Sequence, residues 1–260
     1  MVLSHQTGVR IPVALPTPQS PDVPDQFIRF EEGSAIFPLV ERVWRCRSER
    51  GGTFASVAMS HWEMVISRHQ GRTSLTVRGP ETRASAAECP AEGEWLAIRF
   101  KSGTFMPRLP PGRLRDRNDV TLGDAGRRSF WLDGSAWEYP TFDTADVFVR
   151  RLVRRGVIAT DGVVTDALVA AAENVHRRTR QRRFLQATGL TAALVRQIER
   201  ARLAAVLLRE GTPVLDVVDA AGYYDQAHLG HAFKRFVGHT PGEVARGGVQ
   251  LSFLYKTTGA

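Results

Sequence analysis

Cysteine, lysine and long apolar runs are scarce in this sequence of 260 residues. Two cysteines, Cys46 and Cys89, are too few for a disulfide framework and are typical of a protein from a reducing compartment, here the cytoplasm. The longest apolar runs, Ala167–Ala172 and Leu203–Leu208, are far shorter than the roughly 20 residues of a membrane span. No basic stub followed by an apolar stretch opens the sequence, so we expect neither a secretory signal nor contact with a membrane.

The sequence also lacks the motifs of common enzymes and metal sites. It contains no G-x-S-x-G elbow, no P-loop, no dinucleotide glycine fingerprint, no H-E-x-x-H and no Cys-x-x-Cys pair. We therefore expect no catalytic residues, no metal and no cofactor. One alternative stays open, because His61 and Glu63 would share a strand face near His69. In that alternative, the protein is a metal- or ligand-binding β-domain enzyme or scavenger with an accessory basic helical domain.

Positive charge is abundant, but only towards the C-terminus. The first 149 residues carry 18 Lys+Arg and 18 Asp+Glu, whereas the remaining 111 carry 17 and 9, which is the whole net charge of +8. All five tryptophans lie in the neutral part. This division predicts two domains. The positive charge of the C-terminal one would attract a polyanion, but with 32 Arg and only 3 Lys it is equally explained by a generally arginine-rich composition.

Strand-like segments fill the N-terminal half. Residues 1–25 are rich in Pro, Ser and Thr and predict a flexible lead-in. Short runs with β-branched or aromatic residues then alternate with Gly, Pro and Asn/Asp clusters. The runs are Glu41–Arg47, Trp62–His69, Thr73–Arg78, Trp95–Lys101 and Arg128–Leu132. They predict a mostly antiparallel β domain of the barrel or sandwich kind.

The period changes after Trp137, where Phe142, Ala145, Val149 and Leu152 predict a helix that ends before Gly156. We therefore assign 26–156 to a β-rich sensor or dimerisation domain with a terminal helix, 157–164 to a linker, and 165–250 to an all-α domain. The expected fold class is α+β.

A helix-turn-helix pattern stands out between Thr212 and Val237. Thr212 is a predicted cap for a helix that begins at Pro213, Gly222 suits the left-handed turn, and Asp225 is a predicted cap for a second helix, Gln226–Val237. In the second helix Leu229, Phe233 and Phe236 form the predicted buried stripe. Thr240-Pro241-Gly242-Glu243 predicts a capping box that begins a final short helix.

A similar unit precedes it. Val169-Ala170 and Asn174-Val175 stand where a support helix and its turn belong, and five arginines follow within residues 177–183. Arg178, Gln181 and Arg182 share one helix face. Arginine binds guanine and glutamine binds adenine through paired hydrogen bonds, so this face is typical of a surface that reads bases.

One long helix is predicted between the two units. Leu194, Ile198, Ala201, Ala205 and Leu208 recur at helical intervals and form an apolar stripe within Thr191–Gly211. A rigid helix of this kind would hold two helix-turn-helix units apart. Successive major-groove faces lie roughly 34 Å apart, so one chain could read two of them.

Residues 165–246 resemble the C-terminal domain of AraC/XylS-family transcriptional regulators. The resemblance depends on Gly222-Tyr223-Tyr224-Asp225-Gln226-Ala227-His228-Leu229, Phe233-Lys234-Arg235-Phe236, Gly238-His239-Thr240-Pro241, Gln181-Arg182-Arg183-Phe184 and Ala187-Thr188-Gly189-Leu190. It implies a double helix-turn-helix domain that binds DNA and is joined to an effector-binding or dimerising domain. The implied partners are double-stranded DNA, a small-molecule effector and RNA polymerase, with the protein either a monomer or a homodimer.

The resemblance also assigns roles to individual residues. The implied base-reading residues are Arg178, Gln181, Arg182, Gln226, Ala227 and His231. The implied phosphate contacts are Arg177, Arg183, Lys234, His239 and Thr240. The chain departs from the family pattern at His176, in place of a capping serine, and at Arg180, in place of an apolar core residue. We therefore expect the first unit to supply most of the charge and the better base donors.

The N-terminal part is similar to the β-rich sensor domain of one actinobacterial-type branch of this family, through Glu94–Phe100 and Gly103–Pro107. That similarity implies a sensing or partner-binding domain. Trp62 and Trp95 are the predicted ligand-pocket residues, although tryptophan is also an ordinary core residue. Cys46 and Cys89 would form a thiol sensor only if the fold brings them within disulfide reach.

Overall fold

The computed structural model describes residues 28–33, 37–116, 119–162, 164, 177–249 and 251–252. The predicted lead-in, 1–25, lies outside these residues. The predicted first support helix with its turn, and His176, lie outside them too.

Six strands form one antiparallel sheet in the N-terminal part. Their order across the sheet is β1 (Ile28–Gly33), β2 (Val40–Ser48), β7 (Glu94–Phe100), β4 (Glu63–His69), β5 (Arg72–Arg78) and β9 (Val120–Thr121). Within the described residues the sheet is open, with β1 and β9 at its edges. The antiparallel β domain is therefore confirmed, and the barrel form of the prediction is wrong.

Both faces of this sheet are covered. Successive side chains of a strand point to opposite faces. On β4, Met64 and Ile66 belong to the main core of the β domain, whereas Val65 packs with Trp44 on the other face. Burial on both sides explains why the first four residues of β4 are all buried, whereas buried and exposed residues alternate in a strand with one solvated face.

Smaller sheets complete the β domain. β3 (Gly52–Ser56) pairs with β6 (Ser85–Cys89), β8 (Thr104–Phe105) pairs with β13 (Ala159–Thr160), and β10 (Asp124–Gly126), β11 (Ser129–Leu132) and β12 (Ser135–Glu138) form a meander. The five predicted strand segments correspond to β2, β4, β5, β7 and β11. The sequence patterns do not predict β3 and β6, which consist mostly of small and polar residues.

Helix α1 (Ala145–Arg154) closes the main core of the β domain. Phe148, Val149 and Leu152 are buried on its inner face, and Phe148 contacts Phe130 edge-on. Gly156 follows in the left-handed region at φ +69°. The helix thus ends where the sequence predicts.

The first residues of the predicted linker, 157–164, are packed onto the β domain. Val157 and Ile158 are buried in its main core, and β13 pairs with β8. The apolar character of these two residues is the signal that distinguishes this interval from a solvated connection.

Five described helices form the C-terminal part. They are α2 (Arg177–Thr188), α3 (Ala192–Arg209), α4 (Val214–Ala220), α5 (Gln226–Phe236) and α6 (Pro241–Ala245). Gly189, Gly211, Gly222 and Gly238 follow the ends of α2, α3, α4 and α5, and all have φ between +68° and +89°, a region that favours glycine. Among the described residues, no helix has the length and apolarity needed to cross a bilayer.

Candidate nucleic-acid interface

Helices α4 and α5 and the turn between them form the second helix-turn-helix unit. Gly222 takes φ +68° at the turn. Asp225 caps α5, because its side chain accepts a hydrogen bond of 2.7 Å from the backbone N–H of His228. The cap predicted at Thr212 is wrong: α4 begins one residue later than expected, and its N-cap is Pro213, which has no side chain that can accept a hydrogen bond.

Helix α5 has one buried face and one exposed polar face. Leu229, Phe233 and Phe236 are at most 3% exposed and lie in the core of the helical part. The residues predicted to read bases, Gln226, Ala227 and His231, are all exposed, and so is Lys234 one turn after Gly230. The structure therefore places this predicted set together on one accessible surface of a helix.

The long helix α3 fixes the turn of the second unit. The guanidinium of Arg200 lies 4.3 Å from the ring centroid of Tyr223, and its Nη1 donates a hydrogen bond of 3.0 Å to the carbonyl of Gly222. Burial raises the pKa of the Tyr223 hydroxyl, although the charge of Arg200 opposes that shift. The family pattern does not assign Arg200, and its position on α3 is the signal that could have identified it.

Two predicted phosphate contacts lie at the start of α6. The Oγ1 atom of Thr240 accepts from the N–H of Glu243, and the backbone N–H of Thr240 donates to the carboxylate of Glu243 at 2.7 Å, so the predicted capping box is confirmed. The Thr240 hydroxyl also donates to this carboxylate. The backbone hydrogen bond from Thr240 and that from its hydroxyl lower the pKa of Glu243. His239 lies 3.9 Å from the same carboxylate. The negatively charged carboxylate of Glu243 therefore lies beside both Thr240 and His239.

Helix α2 is the first predicted recognition helix. Arg178, Gln181 and Arg182 are exposed on its surface, whereas Phe184 and Ala187 are buried. Arg180 is half-buried, at the position where the family has an apolar residue. The side chain of Arg177 lies outside the described residues.

Arg183 differs from its neighbours on α2. Its Nε and Nη2 atoms donate two hydrogen bonds of 2.8 Å to the two carboxylate oxygens of Asp161. This bidentate pair joins α2 to the β domain. The predicted phosphate contact of Arg183 would require this pair to break.

Helix α3 connects the two units along the chain. It follows α2 after three residues, precedes α4 after four, and contacts α2, α4, α5 and α6. Its 18 residues correspond to a length of about 27 Å. Thr191 caps it, so the predicted long helix is confirmed. Ile198, Ala201, Ala205 and Leu208 of the predicted stripe are buried, whereas Leu194 is half-buried.

A family model described as a helix-turn-helix domain, of the AraC type, matches residues 169–247. This range spans both predicted units and the helix between them. The C-terminal part of the chain is an AraC-type DNA-binding domain. The resemblance inferred from the residues is thereby confirmed for this domain.

Solved structures with a similar arrangement are those of ToxT from Vibrio cholerae. ToxT of strain O395 bound to (E)-4-(8-methylnaphthalen-1-yl)but-3-enoic acid is 11% identical, with a TM-score of 0.38 over 88% of this chain and 100% of that chain. Another ToxT structure from O395 is 11% identical, with a TM-score of 0.38 over 89% of this chain and 99% of that chain. These values are too low for any argument about this protein. No curated protein matches the chain.

The β domain holds the end of α5, the second predicted recognition helix of the AraC-type domain. The last carbonyls of a helix have no partner within it. At the end of α5, the N–H of Ala58 donates to the carbonyl of Phe236 at 2.8 Å, and the N–H of Ala84 donates to the carbonyl of Arg235 at 2.8 Å. Val57 and Ala58 are buried in the same core as the helices. The two domains therefore share one packed interface.

The first recognition helix is held as well. Besides the pair between Arg183 and Asp161, α2 contacts the 3-10 turn at Pro111–Arg113. Gly189, just after α2, is so close to this turn that a Cβ atom added to it would lie 2.6 Å from the backbone nitrogen of Gly112. Sequence patterns do not identify these contacts, because they are made by backbone atoms and one isolated aspartate.

Polar side chains cross the same interface. Ser60 Oγ donates to Glu199 on α3 at 2.5 Å, and Arg202 Nη1 donates to the carbonyl of Ala58 at 3.3 Å. Burial raises the pKa of Glu41, but the charges of His61 and Arg99 outweigh it and lower the pKa below its ordinary value. A salt bridge of 3.2 Å between Glu41 and His61 belongs to this group.

The two predicted ligand-pocket tryptophans have different environments. Trp62 is 4% exposed, stacks on Phe100 at a centroid distance of 4.0 Å, and donates its indole N–H to the carbonyl of Thr104. It belongs to the main core and does not line the cavity beside the sheet, and its role in ligand binding stays a prediction. Trp95 is half-buried and lines that cavity.

The predicted metal alternative finds no site in the described part of the chain. His61 contacts Glu41, whereas the fully buried Glu63 contacts Arg78 and Arg99. No three His, Cys, Asp or Glu side chains among the described residues are arranged to hold a metal ion. Cys46 and Cys89 are free thiols, and burial raises the pKa of Cys89.

Proposed function

We propose that this AraC-type regulator reads a specific operator through two successive major grooves, with α2 in one and α5 in the other. The observation that carries this proposal is the exposed polar face of each recognition helix. Arg178, Gln181 and Arg182 form one face, and Gln226 and His231 lie on the other. A spacer of about 27 Å that packs against both units suits grooves roughly 34 Å apart.

The proposal assigns the control of DNA binding to the β domain. A small-molecule effector there would act on both recognition helices, because β-domain atoms contact the C-terminal end of α5 and the side chain of Arg183 in the middle of α2. The protein works in the cytoplasm, as a monomer or homodimer and with RNA polymerase as its further partner, and carries out no catalysis of its own. Selection of bound DNA from a random pool tests the core of the proposal: we expect two blocks of preferred bases about one helical turn apart.

Base-reading residues should determine specificity. We expect Arg182→Ala and Gln226→Ala each to weaken operator binding by about 1–3 kcal/mol while binding to random duplex changes little. The reason is that paired hydrogen bonds to a base edge are lost only at the cognate base. Competition binding of labelled operator against random DNA measures the difference.

The matched control for this pair is Arg127→Ala, which removes an exposed arginine from a turn of the β domain. It should leave both affinities within error. Equal losses on operator and random DNA for Arg182→Ala and Gln226→Ala would contradict base reading by these helices.

Lys234 should act through phosphate. We expect Lys234→Ala to weaken operator and random DNA alike and to reduce the slope of log K against log salt by about one, because one fewer phosphate is neutralised. Titrations at several salt concentrations measure this slope. Lys101→Ala, at an exposed lysine of the β domain, should leave the slope unchanged. An unchanged slope for Lys234→Ala would remove the phosphate contact.

A further inference from the structure

A cavity of about 430 Å³ lies against the sheet face that carries Trp44 and Val65. Residues of β2, β4, β5 and β7 form one wall, and residues of β3 and β6 form the opposite wall. Arg202 of helix α3 and Ser252 complete the lining. Its volume is that of an ordinary pocket for a small organic molecule.

Aromatic side chains supply much of the apolar lining. They are Trp44 on β2, Phe54 on β3 and Trp95 on β7. Trp44 is 6% exposed, whereas Phe54 and Trp95 are half-buried. Aromatic faces attract both apolar groups and cations.

The charges that line the cavity are mainly negative. Four carboxylates, two guanidiniums and one imidazole line it, and they belong to Glu63, Glu81, Glu88, Asp119, Arg78, Arg202 and His69. Arg78 alone serves three of the carboxylates, since it lies 3.6 Å from Glu63, 3.1 Å from Glu81 and 3.3 Å from Asp119. Even with Arg99, which also contacts Glu63, carboxylates outnumber guanidiniums. This is a local reversal of sign in a chain with a net charge of +8.

We propose that this cavity binds an organic cation with an apolar or aromatic body. The excess of carboxylates favours positive charge, and the three aromatic side chains provide surfaces for the body and for cation–π contact. An organic anion of the same size would meet four carboxylates. The proposal rests on the proposed function in one respect, because it identifies the cavity ligand with the effector.

The cavity wall is continuous with the contacts that hold the DNA-binding helices. Ser56, Val57 and Met59 line the cavity. Between them, Ala58 donates its N–H to Phe236 at the end of α5 and accepts from Arg202 of α3. A ligand that displaces this segment therefore acts directly on the second recognition unit.

Two probes of the same shape and opposite charge test the proposal. Tetraphenylphosphonium and tetraphenylborate are titrated separately into the full chain in sodium buffer, and tryptophan fluorescence and calorimetry follow binding. We expect one phosphonium per chain, bound at least about tenfold more tightly than any borate at this cavity. Equal affinity for the two probes, tighter borate binding at the cavity, or no phosphonium binding would overturn the proposal.

Variants locate the phosphonium. We expect Trp95→Leu to weaken phosphonium binding about tenfold through the loss of one aromatic face, and Asp119→Asn to weaken it about threefold. The matched controls are Trp131→Leu, at a tryptophan that is 53% exposed outside the cavity, and Glu94→Gln, at an exposed carboxylate outside it. Both controls should bind as the wild type does, and equal losses in variants and controls would place the phosphonium elsewhere.

Operator selection is run independently, so that two failures can be distinguished. Phosphonium binding without a selected operator would remove the proposed function and leave the cavity assignment. A selected operator without phosphonium binding would remove only the cavity assignment. Where both are found, saturating phosphonium should change operator affinity at least about threefold. An unchanged affinity would end the identification of the cavity ligand as the effector.

Discussion

Replacing Glu63 by alanine should lower the free energy of unfolding by about 3–5 kcal/mol, since it would remove the carboxylate that contacts the buried guanidinium of Arg99. Glu63 is fully buried and lies 3.4 Å from Nη2 of Arg99, which is itself only 3% exposed, and 3.6 Å from Nη1 of Arg78. Loss of the carboxylate would leave the guanidinium of Arg99 desolvated. Urea denaturation followed by far-ultraviolet circular dichroism measures the change.

The control for this prediction is Glu94→Ala on the neighbouring strand β7. Glu94 is exposed and lies 3.9 Å from the exposed Arg47, so its removal should change stability by less than about 1 kcal/mol. A loss of the same small size for Glu63→Ala would show that the buried pair is not a source of stability. A gain in stability would show that the carboxylate is a burden on the fold.

Replacing Gly189 by alanine should lower the free energy of unfolding by about 2–5 kcal/mol, from two causes that add. The first is conformational, because φ is +74° and L-residues avoid this region. The second is steric, because the new Cβ would lie 2.6 Å from the backbone nitrogen and 2.8 Å from the Cα of Gly112. Backbone atoms cannot rotate away, so α2 and the turn at Pro111–Arg113 must separate. Thermal and urea denaturation measure the loss.

Gly211→Ala separates these two causes. Gly211 has φ +89°, but a Cβ atom there would meet nothing within 4 Å. Only the conformational cost of about 1–2 kcal/mol applies. If the two variants lost the same stability, the close approach of Gly189 and Gly112 would contribute nothing to the interface.

Local signals explain why the helical part could be predicted from the sequence. Gly222 and Asp225 each satisfy a backbone requirement within a few residues, a positive φ in one case and an open N–H in the other. Thr240 and Glu243 satisfy each other in the same way. Such signals are complete within a short segment, so they need no knowledge of distant parts of the fold.

Long-range contacts are the part of the structure that could not be predicted from the sequence. Arg183 stands in a row of arginines, and nothing near it in the sequence indicates that Asp161 binds it. Tryptophan is a residue type that often lines pockets. However, Trp62 stacks on Phe100 and donates a hydrogen bond to the carbonyl of Thr104, and these contacts place it in the core. The attachment of α5 to the β domain depends on the backbone N–H groups of Ala58 and Ala84. Every residue except proline has such a group, so the residue type does not indicate these contacts.

The backbone contacts at Ala58, Ala84 and Gly112 make it difficult to replace either domain by one from another protein. A domain from another protein would have to present backbone N–H groups at the same two points, where they bind the last carbonyls of α5. It would also need a turn at the position of Gly112 whose backbone Gly189 can approach closely. We therefore expect chimaeras of unmatched domains to lack these contacts at the domain boundary. The two parts of the chain are expected to change together in evolution, as partners fitted to each other.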